Sequence, residues 1–153
     1  MTFAQQLTAW GACSDGYDWA TTNCKTMAEV WDKCERGGWL VWLLRKKNDI
    51  SHADWVRIAV ACAEHILPIF EARYPDDTRP RLAIDAAKAW LANPCEATLK
   101  AVNANAAANA AAYAAANAYA AAGAAYAYER RWQADMIRAL ISNPFKQRKE
   151  QGE

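Results

Sequence analysis

The chain has 153 residues, with 18 basic and 17 acidic side chains and a formal charge of +1. That length suits one domain. The charge balance excludes a general electrostatic grip on nucleic acid, which needs a clustered positive field.

Helix starts are well marked along the chain. Thr2-Phe3-Ala4-Gln5 has the form of a capping box, and Thr26-Met27-Ala28-Glu29 repeats it with a carboxylate. Gly37-Gly38 is expected to end the helix begun at Thr26. The run Trp39 to Lys46 is short and apolar, with Arg45, Lys46 and Lys47 at its end, where the helix dipole favours cations. Ser51 opens a strongly helical segment, Ala53 to Glu71, with Trp55, Ile58, Cys62, Ile66 and Ile69 at helical spacing. Pro68 should kink it late or mark its last turn. After the turn Tyr74 to Asp77, with Asp77 or Thr78 as cap, a helix over Arg81 to Ala92 should present Leu82, Ala86, Ala89 and Trp90. Asn93-Pro94 reads as a cap followed by Pro at the first helical position. No strand or hairpin signal appears.

From Ala97 to Ala127 the sequence is dominated by Ala, the best helix former. Asn105, Asn109, Tyr113 and Asn117 trace a drifting polar stripe, either a solvated face or a partner surface. An unbroken helix to Ile141 would run roughly 65–70 Å at 1.5 Å per residue. It must therefore break near Gly123 or protrude, and a protruding Ala/Tyr helix is suited to a homodimer. The expected fold is all-α, a compact bundle of six to seven helices with a long Ala/Tyr-rich C-terminal helix. Residues 1–144 form the domain and 145–153 a polar, frayed tail.

Five Cys, an odd number without the spacing of a disulfide framework, point to reduced thiols. Met1 to Trp10 has no basic region followed by a long apolar core, so a cytoplasmic protein is expected. The longest apolar run is far shorter than the about 20 residues needed to cross a bilayer, and the Ala tract is interrupted by Asn and Tyr. No membrane span is expected.

The chemistry-bearing residues allow few constellations. Cys62 and His65 are three apart on a helix, and Cys13 and Cys34 are the remaining candidates for a zinc site; the spacing matches known sites poorly, and core packing is the better reading. Cys62 also lies in the apolar run Val60-Ala61-Cys62-Ala63, a setting that suits a packing residue better than a nucleophile. Asp77, Arg79 and Arg81 make either an anion site or an ion-pair cluster tying a loop to the body. Trp39 and Trp42 share a helix face and are either core residues or a platform for a base, with Arg45, Arg79 and Arg81 taking phosphates. No cofactor is expected.

Gly11-Ala12-Cys13, Trp19 and the block Trp31-Asp32-Lys33-Cys34-Glu35-Arg36-Gly37-Gly38-Trp39 resemble a family of immunity proteins. That family is linked to bacterial polymorphic-toxin systems and also occurs in phages. The resemblance continues through Ala59 to Ala63, Arg79 to Ile84 and Gln133 to Arg138. Family members tend to carry Asp or Asn where this chain has Gly38. The resemblance implies a non-enzymatic inhibitor that binds a bacterial toxin or, in a phage, a defence component such as CRISPR. It brings no catalytic residues. The alternative from the residues themselves is a nucleotide or small-molecule binding module.

Overall fold

Every regular element of the structure, a computed structural model that describes residues 1–99 and 124–146, is a helix. In chain order these are α1 (Phe3–Trp10), α2 (Ser14–Asn23), α3 (Met27–Lys33), α4 (Gly37–Lys47), α5 (His52–Arg73), α6 (Arg79–Ala92) and α7 (Ala124–Leu140). Residues 96–99 open one more. The total is therefore eight among the described residues, against the six to seven expected. The Ala/Tyr tract with Asn109, Tyr113 and Asn117, and the break near Gly123, lie outside the described residues.

The helix without a sequence signal is α2. Its Gly16, Thr21, Thr22 and Asn23 are weak helix formers, and Cys13 at the N-cap makes no side-chain cap. Packing stabilises it instead: Ala20 is buried and the Trp19 ring lies 5.9 Å from that of Trp39. Gly11 separates α1 from α2. It sits at φ 74°, a left-handed conformation open to glycine, and its N–H and that of Ala12 close a Schellman turn on Thr8 and Leu7.

Several caps follow the sequence. Thr2 and Gln5 form the full capping box. Thr26 accepts from Glu29 N, but the Glu29 carboxylate takes the N–H of Lys25 rather than that of Thr26. Ser51 Oγ accepts from Asp54 N. Between the two candidates before α6, Asp77 accepts the Arg79 N–H, while Thr78 makes no side-chain cap.

Other expectations are corrected. Gly37-Gly38 does not end α3; that helix stops at Lys33, and Gly37 is the first residue of α4. The reason is tertiary. A Cβ on Gly37 would lie 2.5 Å from Gln133 Cβ and 3.2 Å from Ala134 N, so the glycine is required by the close approach of α7. Asn93 ends α6 instead of opening a helix. The next helix starts two residues beyond Pro94, where Thr98 Oγ1 accepts from Cys95 N. Pro68 does not mark the last turn of α5, since the helix runs on to Arg73.

By contact the chain divides into two compact units, Met1–Ile50 with Arg130–Glu153, and Ser51–Glu129. In the first, Trp31, Leu40, Leu43, Leu44 and Ile137 are fully buried. Arg138 on α7 donates to the carbonyls of Trp31 (3.0 Å) and Cys34 (2.7 Å), the C-terminal end of α3. Asn143 donates to Ala28 O and Asp32 Oδ1. Phe145 packs near Trp10 and Trp31, and Lys146 pairs with Asp32 at 3.0 Å.

In the second unit, α5 and α6 form a helical hairpin around Val60, Ala63, Leu67 and Ile84, with Val56, Ala87 and Leu91 against them. This stripe overlaps the expected one in part, since Ile58 is buried and Trp55, Cys62 and Ile66 are half-buried. Ile69 is 57% exposed and Leu82 54%. Both positions are apolar in sequence, yet the 60-63-67 stripe faces the partner helix and leaves Ile69 on the outside. Two cross-links brace the hairpin: Arg81 to both Glu71 oxygens at 2.7 Å, and Lys88 to Glu64 at 2.6 Å. Among the described residues, no helix is long and apolar enough to cross a membrane.

Candidate functional site

In the first unit, α1, α2 and α4 enclose a cleft of about 310 Å³. Trp19 reaches it from α2 and Trp39 and Trp42 from α4, and the buried Leu7 and Leu43 line it as well. The two α4 tryptophans are three residues apart and share the face the spacing predicts. Both are half-buried. Each also carries a cation: the Arg36 guanidinium lies 4.1 Å from the Trp39 ring centre and Lys46 Nζ 5.6 Å from that of Trp42. Trp10 supports Trp42 edge-on at 6.3 Å. Arg45 is exposed in the last turn of α4.

Arg79 and Arg81 belong to the second unit, and both are bonded to carboxylates there. Arg79 forks onto Asp77 through Nε (2.8 Å) and Nη2 (2.5 Å), and Arg81 forks onto Glu71. Hydrogen bonds from these guanidinium groups hold Asp77 and Glu71 below the usual carboxylate range. The turn between α5 and α6 thus presents Tyr74, 48% exposed, beside two paired but outward-facing arginines.

The metal candidates fall in different units, Cys13 and Cys34 in the first, Cys62 and His65 in the second. Among the described residues no group of three or more His, Cys, Asp and Glu is placed to hold an ion. His65 Nε2 instead meets Glu129 Oε2 at 3.0 Å, a partner 64 positions away that no local pattern indicates. Burial, and secondarily the Glu129 charge, pushes the Cys62 thiol up to about 11. Burial also raises Cys34, whose Sγ accepts from Arg36 N. The cysteine that sequence reasoning passed over is Cys95. It is exposed at a helix N-terminus, and the Thr98 hydroxyl lowers its pKa. Thiolate character sets alkylation rate. Iodoacetamide at neutral pH should therefore label Cys95 at least about tenfold faster than Cys62, as read by peptide mass spectrometry.

The described residues define an all-helical protein that offers an apolar, tryptophan-walled cleft and a charged helical hairpin. Comparison with protein families matches residues 45–130 to the family described as "Imm-5 like putative immunity protein". The match covers more than half of the chain, and the chain belongs to that family. It begins at Arg45, beyond the Cys34 to Trp39 block that carries much of the sequence resemblance, and spans the second unit. No curated protein and no solved structure matches the chain.

Proposed function

We propose that this protein is a cytoplasmic, non-enzymatic inhibitor that binds a bacterial toxin or defence component and blocks it by occupancy. The observation that carries this reading is the family match over residues 45–130. Within that stretch the α5–α6 turn is the binding surface. Tyr74, Arg79 and Arg81 are exposed there on a braced hairpin, and Tyr and Arg are enriched among residues that dominate binding energy. The Asp77 and Glu71 partners hold both guanidinium groups in place before a partner arrives, which lowers the ordering cost of binding.

The test is rescue of growth. Genes that flank the coding sequence are expressed singly in a bacterial host, and co-expression of this chain should relieve the arrest caused by one of them. The two proteins should then co-elute. Tyr74→Ala with Arg79→Ala should weaken binding about 100-fold or more, since two hot-spot truncations cost ~1–2 kcal/mol or more each. If rescue fails for every toxic neighbour, and no host defence system is relieved either, the reading is wrong. Self-association through the Ala/Tyr-rich tract belongs to the same proposal, supported by its small side chains and by the aromatic area of Tyr113, Tyr119, Tyr126 and Tyr128. Light scattering at micromolar concentration should give about twice the 17.0 kDa chain mass, and a mass of one chain removes this part.

A further inference from the structure

We infer that the cleft between α1, α2 and α4 is a binding site for a small, neutral, flat apolar molecule of one or two fused rings. This inference stands apart from the inhibitor reading, whose surface is on the other unit.

Size is the first argument. Protein interiors hold few voids larger than a water molecule. At about 310 Å³, the cleft is at the lower end of the range of small-ligand pockets. It is too small for a folded segment of another protein.

Wall chemistry is the second. The lining is almost wholly carbon, supplied by Trp19, Trp39 and Trp42 with Leu7, Val30 and Leu43. Indole faces prefer offset or edge contacts with another ring. Trp19 and Trp39 already stand 5.9 Å apart and tilted by 59°, so the two indoles are not stacked flat on each other. No lining side chain carries a charge or a carboxamide, and Arg36 and Lys46, which lie over the Trp39 and Trp42 rings, are not among the lining residues, so a bound anion would lose hydration with little replacement. Phosphates and carboxylates are disfavoured on that ground.

The third argument is Gly16. Glycine inside a helix costs roughly 1 kcal/mol relative to Ala. Gly16 sits within α2, which is already weak, at a φ that does not require glycine. A Cβ there would meet Cys13 Sγ at 3.2 Å and the Trp39 ring at 3.8 Å. Cys13 is exposed and its thiol can turn aside, so sterics alone do not demand the glycine. What Gly16 does is leave room in the cleft beside Trp39.

The test titrates the full chain with N-phenyl-1-naphthylamine, a neutral dye, and follows tryptophan quenching together with dye emission. Saturable one-to-one binding is expected, with displacement by indole. The anion 1-naphthoate should bind at least tenfold more weakly than naphthalene. Gly16→Leu, which fills the cleft, should weaken dye binding at least tenfold with helical circular dichroism retained. Should that variant unfold, Gly16→Ala decides: it suits the helix and should weaken binding about threefold. Four outcomes overturn the proposal: no saturable quenching, unchanged affinity in a folded Gly16 variant, naphthoate binding equal to naphthalene, or dye binding that merely dissociates a dimer. The last would mean that a second copy covers the cleft.

Discussion

Arg138→Ala should destabilise the first unit by about 2–4 kcal/mol, because it removes two charge-assisted bonds and leaves two partly buried carbonyls without a donor. Arg138 is the residue that closes the C-terminal end of α3 from outside that helix. One guanidinium nitrogen serves both Trp31 O and Cys34 O, while the other meets Asp135 at 2.8 Å. Its side chain is only 22% exposed, so water replaces these bonds poorly. Arg138→Lys should recover less than half of the loss, since an ammonium lacks the planar fork. A fitting control is Arg131→Ala. Arg131 pairs with Glu35 at 2.6 Å, but both side chains are about 60% exposed. Exposed pairs contribute little, and a loss below about 0.5 kcal/mol is expected. Urea unfolding followed by tryptophan emission measures all three. Equal losses for Arg131→Ala and Arg138→Ala would show that the carbonyl bonds are not what holds α3 against α7.

Adjacent glycines should respond to Ala with opposite sign. Gly37→Ala should cost about 2–3 kcal/mol, the usual range for overpacking against atoms that cannot give way. The added carbon would sit 2.5 Å from Gln133 Cβ and 3.2 Å from the backbone nitrogen of Ala134, and Ala134 is itself fully buried. Gly38→Ala meets nothing within 4 Å. It replaces glycine in the first turn of α4 and should gain about 0.5–1 kcal/mol from helix propensity. Gly38→Asp should gain as well, since that helix has no acidic residue in its first turn and no side-chain cap. Thermal unfolding of the single variants and of the double variant checks the pair. A Gly37→Ala protein as stable as the wild type would mean that α7 does not approach the start of α4 as closely as described.

The same glycines show where sequence reasoning reached its limit. Read locally, Gly37-Gly38 after Cys34-Glu35-Arg36 is a helix stop. In the structure it is a helix start, because α7, almost 100 residues later, rests on Gly37. The block Cys34 to Gly37 and the segment Gln133 to Arg138 each stood out in the sequence. Only the fold shows that they meet: Arg131 reaches Glu35, Gln133 lies over Gly37, and Arg138 caps Cys34. The cleft was half legible. Trp39 and Trp42 on one face follow from helical spacing, but Trp19 and Gly16 lie on α2, a helix that local propensity does not announce.

What the sequence alone determined is what short-range physics controls. The all-α class, the box at Thr2, the caps at Thr26 and Ser51, and the basic end of α4 all depend on residues within four positions of one another. Tertiary structure decided which side of each helix is buried. Along α5 both Ile69 and Leu67 are apolar, and either could face a partner; burial went to Leu67 because Val60, Ala63 and Phe70 share its side and Ile84 meets it from α6. It also decided the chemistry. Cys62 in its apolar run already reads as a packing residue, and burial raises that thiol to about 11, but only the fold turns its neighbour His65 to Glu129. Local sequence sets which helices form, while desolvation and long-range contact set what their side chains can do.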